Sequence, residues 1–540
     1  MRPVVVAGIG VVVVVGGLVM LRHHGGGVAG LGVDALLGQL PPGTTATHGA
    51  VSFDPAAGTA SIEKLVITKD GQTVFAADNV TATGIEGLSA SAPPRRIGHI
   101  TVTNAAAGKL YEHIARIEID GLAPETIRQI LDASAYQDGK PAWTDRRILV
   151  DSVEAFGITG HGDAPPNQTG PVRITGTDIT IAHSKISGLS GRQLSAPPSA
   201  ATLTDPAELA SAVLALGETS AATDGVRMEL HGLGRFTIGS ESATDFADGK
   251  LAKAEIDDIA FAGENGIGTF KLQKTTLQDF DLSKLALALP AFAAATKEHR
   301  PPRMIADMMR IGGFEVVGLE ADFQHAPKVT LASLTSKTES DGGGAQAGTL
   351  QMRDLAITYT GRDVPPNVSA ALQRFGMQDF KVDWDSATSQ NTATGELALT
   401  RNDIAVHGLG TLSTVFKLVN WQKLDGTPEE IKAHWRAAKV LSAKFTWKDE
   451  SLTGRLFHIA AESSGRTEQE VRASADQPLA MLPMFLPDQP DATQQIDNFL
   501  DGRHQITITL TPPSPVTIGD LIDAPPQQKA SLLGVHISGN

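Results

Sequence analysis

Four arrangements in this chain carry residue types that catalysis uses, and each fails on spacing or setting. Ser61-Ile62-Glu63-Lys64 has the Ser-x-x-Lys form of a nucleophile beside its base. The alternation around it predicts a strand rather than a helix start, and neither the SDN nor the KTG companion occurs. Gly232-Leu233-Gly234 and Gly408-Leu409-Gly410 hold two glycines of a dinucleotide fingerprint without the third or the strand-to-helix setting, so both read as turns. The fifteen histidines are scattered. Their one close pair, His23-His24, reads as a membrane flank rather than a metal site, and Lys297-Glu298-His299-Arg300 as a solvated helix end. No phosphate loop, HExxH pair or GxSxG elbow is present. The sequence thus yields no catalytic, cofactor-binding or metal residue, and a non-enzyme is expected.

A fifth pattern recurs. An Asp precedes an apolar residue, any residue and a second apolar residue at Asp178, Asp258, Asp279, Asp354, Asp379 and Asp403, with a looser copy at Asn79. Six scattered carboxylates without a travelling partner group make poor metal ligands. An Asx side chain that closes a turn before a strand explains them locally.

These residues must be carried by strands. Short alternating runs such as Ile117-Glu118-Ile119, Phe236-Thr237-Ile238, Ile404-Ala405-Val406 and Gln505–Leu510 place one face on an apolar interior. Gly, Asp and Asn punctuate them. With 55 Gly, 30 Pro and 5% aromatic residues, the expectation is mainly β with peripheral helices (α+β), built from antiparallel meanders rather than a doubly wound parallel sheet. Some strands, such as Leu65–Ile67, Phe314–Leu319 and Leu412–Val419, read as apolar on both faces and need cover on both.

A larger unit repeats in the second half. Pro301–Gly312 and Pro365–Gly376 each read as a Pro-started helix ending Arg, apolar, Gly, followed by a strand at Phe314 or Phe380. A third version starts at Thr427-Pro428-Glu429-Glu430 and leads to Phe445-Thr446-Trp447. Duplicated helix-plus-meander units in an elongated body follow. Ser89–Arg96, Gly160–Gly170, Leu194–Pro206 and Asp341–Gly348 read as loops. Arg466–Leu486 and Thr493–Leu500 read as helices, and Val516–Ile522 as an apolar turn. The division expected is 1–24, 25–250, 251–425 and 426–540.

The apolar segment Val4–Leu21, with Arg2 before it and Arg22, His23 and His24 after it, is long enough for a single transmembrane helix. It exceeds the core of an ordinary signal peptide and is read as an uncleaved anchor, with cleavage near Gly27-Val28-Ala29 as the alternative. Either way the body is exported. A cysteine-free chain suits an oxidising compartment. The net charge of −15 and pI near 5.5 argue against a nucleic-acid partner.

An anchor followed by a long, cysteine-free, strand-rich body with recurrent Asp-led alternation resembles the AsmA-like proteins of the Gram-negative envelope. That resemblance implies an inner-membrane protein with a periplasmic β body, an apolar groove, and a part in outer-membrane maintenance or lipid handling. It carries no residue-specific motif, and the repeats from about Lys253 depart from the family's plain strand repeat. Phospholipid acyl chains and an envelope protein are the partners expected beside the membrane. The alternatives are an interaction module for such a protein, or a periplasmic hydrolase with an unrecognised site.

Overall fold

The structure, a computed structural model, describes residues 44–539 except 55, 88–93, 109–110, 132–134, 138, 165–172, 196–205, 299–307, 341–343, 360–365, 378, 423–425, 475, 485, 487–488 and 503. The anchor Val4–Leu21 and residues 301–307 of the helix expected over Pro301–Gly312 lie outside the described residues; the rest of that segment, Met308–Gly312, is not helical, and Arg310 instead bridges to Asp281. Among the described residues no helix is long and apolar enough to cross a membrane. The chain is mainly antiparallel β with helices between strands, and it forms two compact units.

The first unit comprises the described residues among 44–267, 276–297 and 308–310. Its strands are β1 (Thr44–Thr47), β2 (Val51–Asp54), β3 (Thr59–Lys69), β4 (Gln72–Glu86), β5 (Arg96–Ala107), β6 (Tyr111–Leu122), β7 (Arg147–Asp163), β8 (Gly176–Gly191), β9 (Leu216–Leu230), β10 (Gly234–Ala247) and β11 (Lys250–Gly263). From β3 onward each pairs antiparallel with the next, and β1 and β2 both pair with β3. Helices α1 (Pro124–Leu131), α2 (Pro206–Ala215) and α3 (Ser283–Lys297) complete it. Strand β12 (Gly268–Asp281) gives residues 268–275 to the second unit and the rest to the first.

These strands do not follow a plain period of two. The buried residues of β5 are Ile97, Ile100, Val102 and Ala105, and the buried apolar residues of β6 are Tyr111, Ile114, Ile117, Ile119 and Leu122, all within one apolar cluster. Inward positions are thus spaced three, two, three in β5 and from Ile114 onward in β6. Two of the skipped steps hold a residue of positive φ, Asn104 and Gly121, and the other two, at Gly98 and Ala115, lie opposite such residues on the neighbouring strands. Lys64, Asn104, Gly157, Gly225 and Asp258 are left-handed, and the register sets them on one cross-strand line over alternate strands. Gly84, Gly121, Gly188 and Asp245 form a second line on the strands between. A left-handed residue in a strand turns two successive side chains outward and strengthens the local twist. At Gly121 it is also a matter of room, since a Cβ would lie 2.0 Å from Asp151 Oδ2.

The short alternating runs are therefore fragments of strands up to 17 residues long (β7). The reading of the Asp series changes accordingly. Asp258, Asp279 and Asp354 are left-handed residues inside strands, not turns before them. Asp178 and Asp403 also lie within strands, and only Asp379 opens one. Two expected loops are shorter than read, because β7 continues to Asp163 and β15 begins at Ala345.

The second unit contains β13 (Gly313–Phe323), β14 (Lys328–Ser340), β15 (Ala345–Thr358), α4 (Pro366–Arg374), β16 (Asp379–Asn391), β17 (Glu396–Val406), β18 (Gly410–Val419), α5 (Pro428–Ala437) and β19 (Lys439–Asp449). After them come α6 (Leu452–Ser464), α7 (Glu468–Ser474), α8 (Asp476–Ala480), α9 (Ala492–Leu500), β20 (Gln505–Leu510), β21 (Val516–Thr517), α10 (Ile518–Asp523), α11 (Pro526–Leu533) and β22 (Val535–Gly539). Strands β13 to β20 pair antiparallel in sequence, with β21 also on β19 and β22 on β20. Helix α5 begins where Thr427-Pro428 predicts, with a reciprocal capping box between Thr427 and Glu430. The segment Val516–Ile522, expected as a turn, is instead β21 running into α10, capped by Thr517.

Candidate apolar binding face

Cross-strand partners share a face. Through β13 to β20 one line of partners is Val316, Leu334, Met352, Trp384, Ile404, Leu412, Trp447 and Ile506. One residue away on the same strands, and so on the other face, run Glu315, Thr335, Gln351, Asp385, Asp403, Ser413, Thr446 and Thr507. Along these lines the sheet is apolar on one face and polar on the other, so Phe314–Leu319 and Leu412–Val419 are not apolar strands needing equal cover on both sides.

The apolar line stays open to a degree that the first unit's interior does not. Ile117, Ile119, Leu122 and Val150 are 0–1% exposed, whereas Val316, Leu334, Met352, Trp384 and Ile404 are half-buried and Leu412 is 36% exposed. Phe445, two positions before Trp447, is exposed as well. At β20 the same face is closed. Ile506 and Ile508 pack with Ile496 of α9, Ala530 of α11, and Ile537. The seven spacings between these eight strands, at roughly 4.8 Å each, make the line about 34 Å long, measured along the sheet. Both indoles turn their N–H groups aside, Trp384 Nε1 donating to Asn402 (2.7 Å) and Trp447 Nε1 to Asp449 (3.1 Å). Both indole N–H groups are thus met, and the carbon surfaces of the rings are left to the face.

The polar face is tied by charge. Arg353 bridges to Asp385 at 2.5 Å, and Arg401 reaches both Asp385 (3.0 Å) and Asp403 (2.7 Å). Asp403, which the sequence set among the turn-formers, is held below the usual carboxylate range by the Ser413 hydroxyl and then by Arg401. Asp383 is lowered by the backbone N–H of Asp354 and by His407. A groove of about 710 Å³ on this side is lined by Glu339, Ala347, Ser389, Ala398 and Lys417 among others. Charged and hydroxyl side chains alternate there with alanines.

In the first unit the aliphatic interior gives way over β8–β11 to a cavity of about 160 Å³ lined by Ile186, Glu218, Thr223, Glu241, Ala243 and Ile256. Burial alone pushes the Glu218 carboxyl up. Its outer face brings together histidines that are far apart in sequence. His161 Nδ1 (2.7 Å) and His231 Nε2 (2.8 Å) both meet Asp178. The sequence pattern, which follows one strand at a time, could not show this meeting of β7, β8 and the turn after β9. His99 stands between Asp120 (Nδ1, 2.6 Å) and the Thr101 hydroxyl (Nε2, 2.9 Å), the order of a hydroxyl–imidazole–carboxylate relay. Here it lies on a sheet face whose backbone N–H groups are engaged in the β5–β6–β7 ladder, which leaves none to hold an oxyanion. Among the described residues no group of three or more His, Asp or Glu is placed to hold a metal ion.

The earlier candidates stay apart. Ser61 meets Ser52 at 2.8 Å across the strand pair, and Lys64, at φ 50°, is one of the left-handed strand residues. Gly232-Leu233-Gly234 and Gly408-Leu409-Gly410 are turns. His23 and His24 lie outside the described residues. No curated protein matches the chain. Residues 403–540, from the second half of β17 through β22, match the model of a family described as an uncharacterized protein.

Proposed function

We propose that this chain is a membrane-anchored envelope protein that holds the hydrocarbon part of an amphiphile on the apolar face of its second-unit sheet, in lipid handling or outer-membrane maintenance, and makes or breaks no covalent bonds. The observation that carries the reading is the half-open cross-strand line from Val316 to Trp447. A contiguous apolar surface of this kind marks a binding site. The backbone beneath it is already paired from strand to strand, so a ligand there is recognised by side chains alone. An occupant without polar groups, such as an acyl chain, fits that chemistry. Val4–Leu21, read as the anchor of an inner-membrane protein with a periplasmic body, brings the sheet to a supply of such chains.

The test is mass spectrometry of lipids retained by the full chain purified in mild detergent, beside a Met352→Glu/Ile404→Glu double variant. Phospholipid or fatty acid retained by the parent and lost from the variant is the expected result. A lipid-free parent, or equal retention by both, overturns the reading. The competing protein-docking role draws on Leu456, Met481, Met484 and Ile522, which are 48–73% exposed near the C-terminal helices. It predicts that crosslinks to an envelope protein form from these positions while the sheet stays lipid-free.

A further inference from the structure

Helix α3 is unusual in having no polar side. Every residue from Leu285 to Ala295 is apolar (LALALPAFAAA), and Lys284 and Lys297 stand at the two ends. A helix that is apolar all round belongs in a core or in lipid. In the first unit α3 packs on α2 and buries Ala286 and Ala288. Its other side is open: Leu287 is 69% exposed, and Pro290, Ala291 and Ala294 are exposed with it. Those four positions are spaced three, one and three, which makes them a single stripe. Lys284 and Lys297, both exposed, fall at its ends. On the neighbouring α2, Leu209 is also exposed. The nearby acids are Glu298, directly after Lys297, Glu208 in α2, and Asp281, whose carboxylate accepts from the backbone N–H of Ser283 (2.8 Å) at the start of α3.

We propose that this stripe rests in the headgroup–acyl boundary of a phospholipid bilayer, with Leu287 in hydrocarbon and Lys284 and Lys297 on lipid phosphates. Eleven apolar residues rise about 16 Å, too short for a hydrocarbon core of roughly 30 Å, so the helix lies in the plane and does not cross. Lipid is favoured over a protein for two reasons. Nothing polar along Leu285–Ala295 can fix a partner's register, and cations bracketing an apolar stripe complement anionic headgroups. The N-terminal Val4–Leu21 segment supplies the same chain with a membrane-seeking element. The inference shares only the membrane with the acyl-binding reading and survives a lipid-free sheet.

Because the chain has no cysteine, Leu287→Cys gives a unique site for an environment-sensitive fluorophore. Lys432→Cys, at an exposed position of α5, serves as the reference that corrects for orientation. Full chain is reconstituted into vesicles of phosphatidylethanolamine with a minority of phosphatidylglycerol. The expected result at position 287 is blue-shifted emission, a several-fold fall in iodide quenching relative to position 432, and quenching by nitroxide-labelled acyl chains. Equal iodide access at both positions overturns the proposal. Protection that persists in detergent and rises with protein concentration also overturns it and assigns the stripe to a second copy of the chain.

Discussion

At Asp178 a carboxylate that reads in sequence as a turn-former sits inside β8 and binds two imidazoles. His161 is raised, first by its hydrogen bond to Asp178, and Asp178 is lowered, first by the same bond. The signs define a window. The stabilisation from His161 is fully present below its ordinary pKa of 6.5 and is lost as pH rises through the raised value. That from Asp178 is present above the ordinary 3.8 and is lost as pH falls through the lowered value. Both therefore act in full from about pH 4 to 6.5. An NMR titration of Asp178→Asn should return His161 towards its ordinary midpoint, and an unmoved midpoint would contradict the assigned pairing. Burial makes the opposite kind of site. Ile119→Ala, at a fully buried position, should cost about 2–5 kcal/mol in denaturant unfolding. Leu412→Ala, on the half-open face, should cost well under that. Comparable losses would mean the face is closed.

Single strands were legible from alternation, but their length and bends were not. A search for period two finds Ile117-Glu118-Ile119 and stops, because Ala115-Arg116 point outward together between Ile114 and Ile117. The three-two-three spacing belongs to strands that each carry a left-handed residue. The signal available in sequence is Gly, Asn or Asp inside an apolar strand, and at Asp258, Asp279 and Asp354 it is indistinguishable from turn closure without the pairing. A stability comparison tests it. Asp258→Gly should be neutral or mildly stabilising, since glycine adopts positive φ freely, whereas Asp258→Val should cost about 1–2 kcal/mol. Equal effects would remove the conformational argument. Helix starts were easier to read, because a cap is local. Thr427→Ala should cost about 1 kcal/mol by removing the hydroxyl that accepts from the Glu430 N–H, read from the unfolding midpoint.

For the whole molecule, the readings of membrane and body separate cleanly in experiment. The full chain should remain with membranes after alkaline extraction, and a chain lacking residues 2–24 should be released. Retention of the shortened chain would assign membrane binding to the body, with the stripe on α3 as the first candidate.

Strand character, the cap at Thr427 and the apolar run Val4–Leu21 depend on residues close to one another in the chain, so the sequence alone determined strand character and the helix start at Thr427. Which strand faces which is different. The apolar line from Val316 to Ile506 and the meeting of His161, Asp178 and His231 join residues tens to nearly two hundred positions apart. A one-residue change of register would exchange the two faces of a strand. Only the tertiary pairing decided that the apolar residues of eight strands share one side of a sheet, and that this side is left partly open.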